Sequence, residues 1–127
     1  VDEVKFEDLV GKKVAFYGVD NAAFCVRVGG SFGNERYAFE AMEDESDGYR
    51  SMMEEVKRVP LKGHIFFREP IASVLVEEDE SLDGYRLTDS KDGHVWLRFG
   101  TDRADDWYPS FAFEYAPHPG RNRSGKR

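Results

Sequence analysis

Apolar and polar residues alternate with a period of two along most of this chain, which puts every second side chain on one face of an extended backbone and so demands a sheet. Between Ala22 and Val28, residues Ala22, Phe24, Val26 and Val28 share one face, while Ala23, Cys25 and Arg27 share the other. Tyr37, Phe39 and Ala41 continue the pattern, and it returns in Tyr85/Leu87, Val95/Leu97/Phe99 and Phe111/Phe113/Tyr115. Strands are predicted over 14–19, 22–28, 37–41, 65–68, 71–76, 85–88, 95–99 and 111–115. The turn formers Asp20-Asn21 and Asp89-Ser90-Lys91-Asp92-Gly93 join neighbours in antiparallel order, giving one meander early in the chain and a second at its end.

Two segments follow a helical period instead. Phe6, Leu9 and Val10 have one-turn spacing with Gly11 as a stop, so a short helical turn is expected at the entrance to the fold. Tyr49, Met52, Met53 and Val56 fall at i, i+3, i+4 and i+7, the stripe of an amphipathic helix, with Ser46 or Asp47 as cap and Pro60 beyond its end. Arg50/Glu54 and Glu54/Arg58 are four apart with opposite charge, and Lys57-Arg58 suit the carboxyl end of a helix dipole. The expected fold class is α+β and mainly antiparallel: a curled sheet, small barrel or two-layer sandwich of about eight strands with one amphipathic helix. A chain of 127 residues fits one domain, placed at 1–117, and the basic segment 118–127 has nothing to bury and reads as a flexible tail.

An internal echo crosses these elements. Glu43-Asp44-Glu45-Ser46-Asp47-Gly48-Tyr49-Arg50 is matched by Glu78-Asp79-Glu80-Ser81-Leu82-Asp83-Gly84-Tyr85-Arg86, and Gly63-His64-Ile65-Phe66-Phe67-Arg68 by Gly93-His94-Val95-Trp96-Leu97-Arg98. The first Asp-Gly-Tyr-Arg opens a predicted helix and the second a predicted strand. One string then serves two structures, and any duplication is either ancient or apparent.

Composition narrows the function. Cys25 is the single cysteine and cannot form an internal disulfide, and no basic stretch leads into a long apolar one, so a reducing, cytoplasmic setting is expected. No apolar run approaches the roughly 18 to 20 residues of a membrane helix. The formal charge is −7 even with Arg121, Arg123, Lys126 and Arg127 in the tail, so the folded part is more acidic still. Such a body repels phosphate backbones and favours a basic protein surface as its partner.

No stretch carries a catalytic signature. Asp44, Glu45, Asp47, Asp79, Glu80 and Asp83 offer oxygen ligands of the kind calcium takes, but at spacings that do not fit the twelve-residue calcium loop. Solvated turns that keep strand edges apart account for the same residues. His64 and His94 hold matching places ahead of apolar runs, though nothing in the sequence brings them together, and His118 lies between prolines. There is no nucleophile elbow, and Gly29-Gly30-Ser31-Phe32-Gly33-Asn34 lacks the lysine and following helix of a phosphate loop. Asp105-Asp106-Trp107-Tyr108 sets two aromatic rings beside two acids, a composition suited to recognition of a basic surface.

Three stretches together resemble a family of small uncharacterised domains of phage and bacterial genomes. They are Phe6-Glu7-Asp8-Leu9-Val10-Gly11-Lys12-Lys13, the acidic centre around Asp44, and the run from Tyr85-Arg86-Leu87-Thr88 through Gly93-His94-Val95-Trp96-Leu97-Arg98-Phe99-Gly100 to Tyr108. Adjacent cysteines associated with that family's acidic centre are replaced here by Glu45 and Ser46. The resemblance implies a viral or mobile-element setting and no activity. The expected function is a non-enzymatic acidic protein-binding module, phage-encoded and docking a basic, nucleic-acid-binding host protein. Its contact residues are Glu43, Asp44, Asp47, Glu78, Asp79, Asp83, Asp105, Asp106, Trp107 and Tyr108, and no cofactor is required. The alternatives are a small metal-assisted hydrolase using the acidic loops, or a barrel that binds a small ligand.

Overall fold

The computed structural model describes residues 4–29, 35–45, 52–104 and 108–119. Eight strands make one antiparallel sheet: β1 (Lys13–Asp20), β2 (Ala23–Arg27), β3 (Arg36–Asp44), β4 (Met52–Val59), β5 (Ala72–Asp79), β6 (Gly84–Asp89), β7 (Val95–Asp102) and β8 (Ser110–Tyr115). Their order is β4-β3-β2-β1-β5-β6-β7-β8, so β1 lies in the middle. The chain lays one meander outward to β4, returns across the sheet through residues 60–71, and lays a second meander from β5 to β8. The sheet curls until its outer strands approach: Met53 N–H, at the start of β4, donates to Thr101 Oγ1 near the end of β7 at 2.9 Å. Among the described residues no ladder closes this seam, and no helix is long and apolar enough to cross a membrane.

The inner face is aromatic because each strand contributes its alternate apolar set. Phe24, Val26, Phe39, Leu87, Leu97 and Phe99 are all fully buried. The expected helical turn forms as a 3-10 turn over Phe6–Leu9 and fills the curl. The Phe6 ring lies 5.0 to 5.7 Å from those of Tyr85, Phe24, Phe39 and Phe99. Edge-to-face contacts of this kind add to the area term that dominates such a core. Side chains thus occupy the interior that a small-ligand barrel would need to keep open.

The amphipathic helix predicted around Tyr49 to Val56 is not formed; Met52–Val59 is a strand. Its pairing with β3 shifts by one residue, with Met42 opposite Glu55 and Glu43 opposite Met53, leaving Glu54 as the extra residue of a bulge. A bulge puts residues three apart on one face, so Met53 and Val56 both pack against the core with the spacing of one helical turn. Charge pairs four apart lose their meaning in an extended chain. Ser46, Asp47 and Tyr49 lie outside the described residues.

The strand predicted over 65–68 is also corrected, because residues 60–71 cross the outer face of the first meander as a loop. Phe67 N–H donates to Tyr17 O at 3.2 Å, Ile71 N–H to Phe16 O at 2.7 Å, and Arg36 Nη1 to Phe67 O at 3.0 Å. Beneath it Tyr17, Ala23, Cys25 and Ala38 are buried although they point away from the inner core. The two Gly-His strings therefore fold differently, the first within this loop and the second leading into β7.

Candidate functional site

Acidic side chains of the second meander fall into two environments. Asp79 ends β5 and is 2% exposed. Its Oδ1 accepts from Ser81 N–H at 3.0 Å and Ser81 Oγ at 2.6 Å, and its Oδ2 accepts from Arg98 Nε at 3.0 Å, with Arg86 Nη1 at 3.8 Å. Burial acts to raise this carboxyl, but the hydrogen bonds from Ser81 and Arg98, the Arg98 charge and the Leu82 N–H outweigh it and hold its pKa below the ordinary value. Glu77 takes Arg86 at 3.1 Å and Glu114 takes Arg98 at 3.3 Å, so a band of paired charge crosses β5 to β8 on the outer face. Asp79 is the buried anchor of this band.

Glu78, Glu80 and Asp83 are exposed and border a cleft of about 260 Å³ with Asp79 on one side and Met53 and Tyr85 on the other. The β5–β6 turn builds this wall, helped by Asp83 at φ 51°, a backbone conformation that aspartate tolerates better than most residues. Tyr85 lies opposite Glu78 in the ladder, and burial, Glu7 and Glu78 together raise its hydroxyl pKa. Arg103 spans the seam: its Nη2 lies 3.4 Å from Asp83 Oδ2 and 3.9 Å from Met52 Sδ. A second cleft of about 560 Å³ shares Met53 and Tyr85 and runs along β4 beside the 3-10 turn.

Six of the ten residues expected to make contact are described. Glu43 and Asp44, half-buried at the end of β3, pair with Met53 and Met52 and so flank the seam that Glu78 and Asp83 also approach. Asp79 is buried within the outer-face charge band, and Tyr108 is 60% exposed. Asp47, Asp105, Asp106 and Trp107 lie outside the described residues. Sequence reasoning missed Met53, Tyr85 and Arg103. Tyr85 and Met53 carried a signal only as members of apolar stripes, and Arg103 carried none.

The histidines separate differently from their sequence pairing. His64 Nδ1, within the crossing loop, donates to Asp20 at 3.2 Å. His94 instead meets His118, ring centroids 4.8 Å apart, while His118 Nε2 donates to Asp92 at 2.6 Å and His94 Nε2 to Ala116 O. His118, assigned by sequence to the tail, is thus seated against the β6–β7 turn, and residues 120–127 lie outside the described residues. Burial pushes the Cys25 thiol up to about 11 against a smaller opposing pull from Arg36, which leaves it a poor nucleophile. Among the described residues no three His, Cys, Asp or Glu side chains converge as metal ligands. Family models, curated proteins and solved structures contain no match to this chain.

Proposed function

We propose that the protein is a non-enzymatic binding module whose acidic cleft takes a lysine or arginine side chain from a basic partner protein. One observation carries the reading: the exposed Glu78 and Glu80 line the cleft with Asp83, which Arg103 reaches from its rim, and the buried Asp79, no lysine or arginine lines it among the described residues, and Met53 and Tyr85 give it an apolar surface. A long basic side chain matches both surfaces, laying its methylenes on Met53 and the Tyr85 ring and its charged head among the carboxylates. Glu43, Asp44 and the exposed Tyr108 extend the acidic and aromatic surface around the seam. The resemblance to phage and bacterial domains suggests a host nucleic-acid-binding protein as the partner. Complexes of this type form through charge steering and weaken with salt.

The test is capture from a bacterial lysate on immobilised protein, eluted along a salt gradient, beside the double variant Glu78→Lys/Asp83→Lys. A stoichiometric basic protein retained by the wild type, released at moderate salt and lost from the variant is the expected result. Equal retention by the variant, or elution indifferent to salt, refutes the reading.

A further inference from the structure

One side of β4 is taken by β3, and the other meets the seam with β7 and β8 at its start and, along the rest, faces the cleft beside the 3-10 turn without a paired strand. Among the described residues Met53 N–H is the backbone group there that finds a partner, in Thr101 Oγ1. Beyond it the strand borders the cleft of about 560 Å³, which every residue from Met53 to Arg58 lines. An edge strand directs alternate N–H and C=O groups outward at the spacing of one further strand. Glu54, Glu55, Lys57 and Arg58 are all exposed, Arg58 lies over the Tyr37 ring at 4.6 Å, and Glu54, Glu55 and Lys57 form no ion pair among the described residues. These charges discourage indiscriminate strand pairing, but their order is also specific. Glu54-Glu55-Val56-Lys57-Arg58 reads acid, acid, apolar, base, base, so the segment is complementary in charge to its own reverse.

We infer that two copies of this chain pair antiparallel through β4, about a two-fold axis at Val56. In that register Glu54 faces the partner's Arg58 and Glu55 faces the partner's Lys57, and the symmetry repeats both pairs on the other side of the axis. A two-fold axis normal to the sheet keeps inner faces continuous, so Val56 meets its counterpart on the core side while Glu55 and the partner's Lys57 meet outside. The neighbouring registers that preserve the faces set Glu55 against the partner's Glu55, or Lys57 against the partner's Lys57, and are disfavoured. Charge order thus selects both the partner and the register. The contact uses β4 and not Glu78 or Asp83, so it stands or falls separately from the acidic-cleft reading.

Sedimentation equilibrium of the full chain at low ionic strength tests it, with Glu54→Lys/Glu55→Lys and Lys57→Glu/Arg58→Glu as variants. The wild type sediments as a dimer, and each variant alone, now repelling its own copy at four positions, dimerises more weakly by roughly tenfold or more. Mixed in equal amounts, the two variants restore a dimer containing one of each, because all four opposite-charge pairs return. That recovery excludes misfolding as the cause of the loss. A wild type that stays monomeric, a dimer that both variants retain, or variants that fail to recombine would each overturn the inference.

Discussion

The two meanders of this sheet cover their outward faces by different means. In β1 to β3 the outward Tyr17, Ala23, Cys25 and Ala38 are buried under residues 60–71, so these strands are apolar on both faces. In β5 to β8 the outward Glu77, Asp79, Arg86, Arg98 and Glu114 pair across the strands at the water's edge. One half is held from outside by a laid-on loop and the other by charge matched from strand to strand. The half without a covering loop keeps an accessible acidic surface, and the carboxylates of the candidate cleft belong to it.

The difference breaks first where the second meander is tightest. Gly84 and Gly100 bring β6 and β7 so close that a Cβ on Gly84 would meet Phe99 O and one on Gly100 would meet Leu82 O, both backbone atoms that cannot swing aside. Gly100→Ala is expected to cost about 3 kcal/mol or more, read as a lowered urea midpoint. Next comes the buried anchor. Asp79→Ala leaves Ser81 N–H without its acceptor, leaves Leu82 N–H only the backbone carbonyl of residue 79 and leaves Arg98 with Glu114 and Ser81 Oγ, a loss of about 3 kcal/mol, near the lower end for a broken buried pair because Arg98 stays 33% exposed. Since the folded-state pKa of Asp79 is lowered, its contribution is fully present above the unfolded value near ~3.9 and disappears as pH falls through the folded value. The stability gap between wild type and Asp79→Ala therefore narrows on acidification, and a gap that widened would deny Asp79 its charged role.

The same contrast explains what the sequence disclosed. Strands with one wet face alternate visibly, so Tyr85/Leu87 and Phe111/Phe113/Tyr115 were legible, and Ala22 to Val28 was legible from the same alternation, although its second face, with Ala23 and Cys25, is buried as well. Residues 60–71 were misread because a loop that lies on a sheet needs apolar residues, and Ile65-Phe66-Phe67 supplies them as a strand would; Ile65 nevertheless emerges 82% exposed. At β4 the bulge imitated a helix, and only the pairing partner β3 could distinguish them. For the candidate site, composition disclosed acidic turns but not depth: Asp79 and Glu78 are neighbours of one charge, and strand alternation alone sends Asp79 to the outer face, where Arg98 and the β5–β6 turn cover it, and Glu78 to the cleft.

A milder perturbation sharpens the picture from the first meander. Phe67 is 38% exposed and rests against Gly18, which pairs with Cys25 in the ladder. Phe67→Ala gives up part of one aromatic side chain, about 1 kcal/mol. It also loosens the cover over Cys25, so thiol labelling, slow in the wild type, should accelerate. Labelling at an unchanged rate would mean that β1 to β3 keep Cys25 inaccessible without the loop.

The smallest effect is expected at Asp92, an exposed carboxylate in the half that relies on paired charge. It accepts from His94 N–H at 3.0 Å and from His118 Nε2 at 2.6 Å, and those two bonds, in that order, lower its pKa. Water and salt screen such a pair as they do not screen Asp79, so Asp92→Asn should move the urea midpoint least of the four substitutions. Its trace is local instead. The His118 ring lies 6.1 Å from Trp96, whose Nε1 is fixed by Asp89 at 3.0 Å, so release of His118 changes the surroundings of a buried, held indole. In the wild type the Asp92 contribution is complete above the ordinary carboxylate range and is lost as pH falls through the lowered pKa, so the fluorescence should shift there. The difference between wild type and Asp92→Asn isolates that step from the signal of Trp107. If Asp92→Asn instead destabilises the protein as much as Asp79→Ala, burial is not what separates the two carboxylates, and the charge band is not anchored at Asp79.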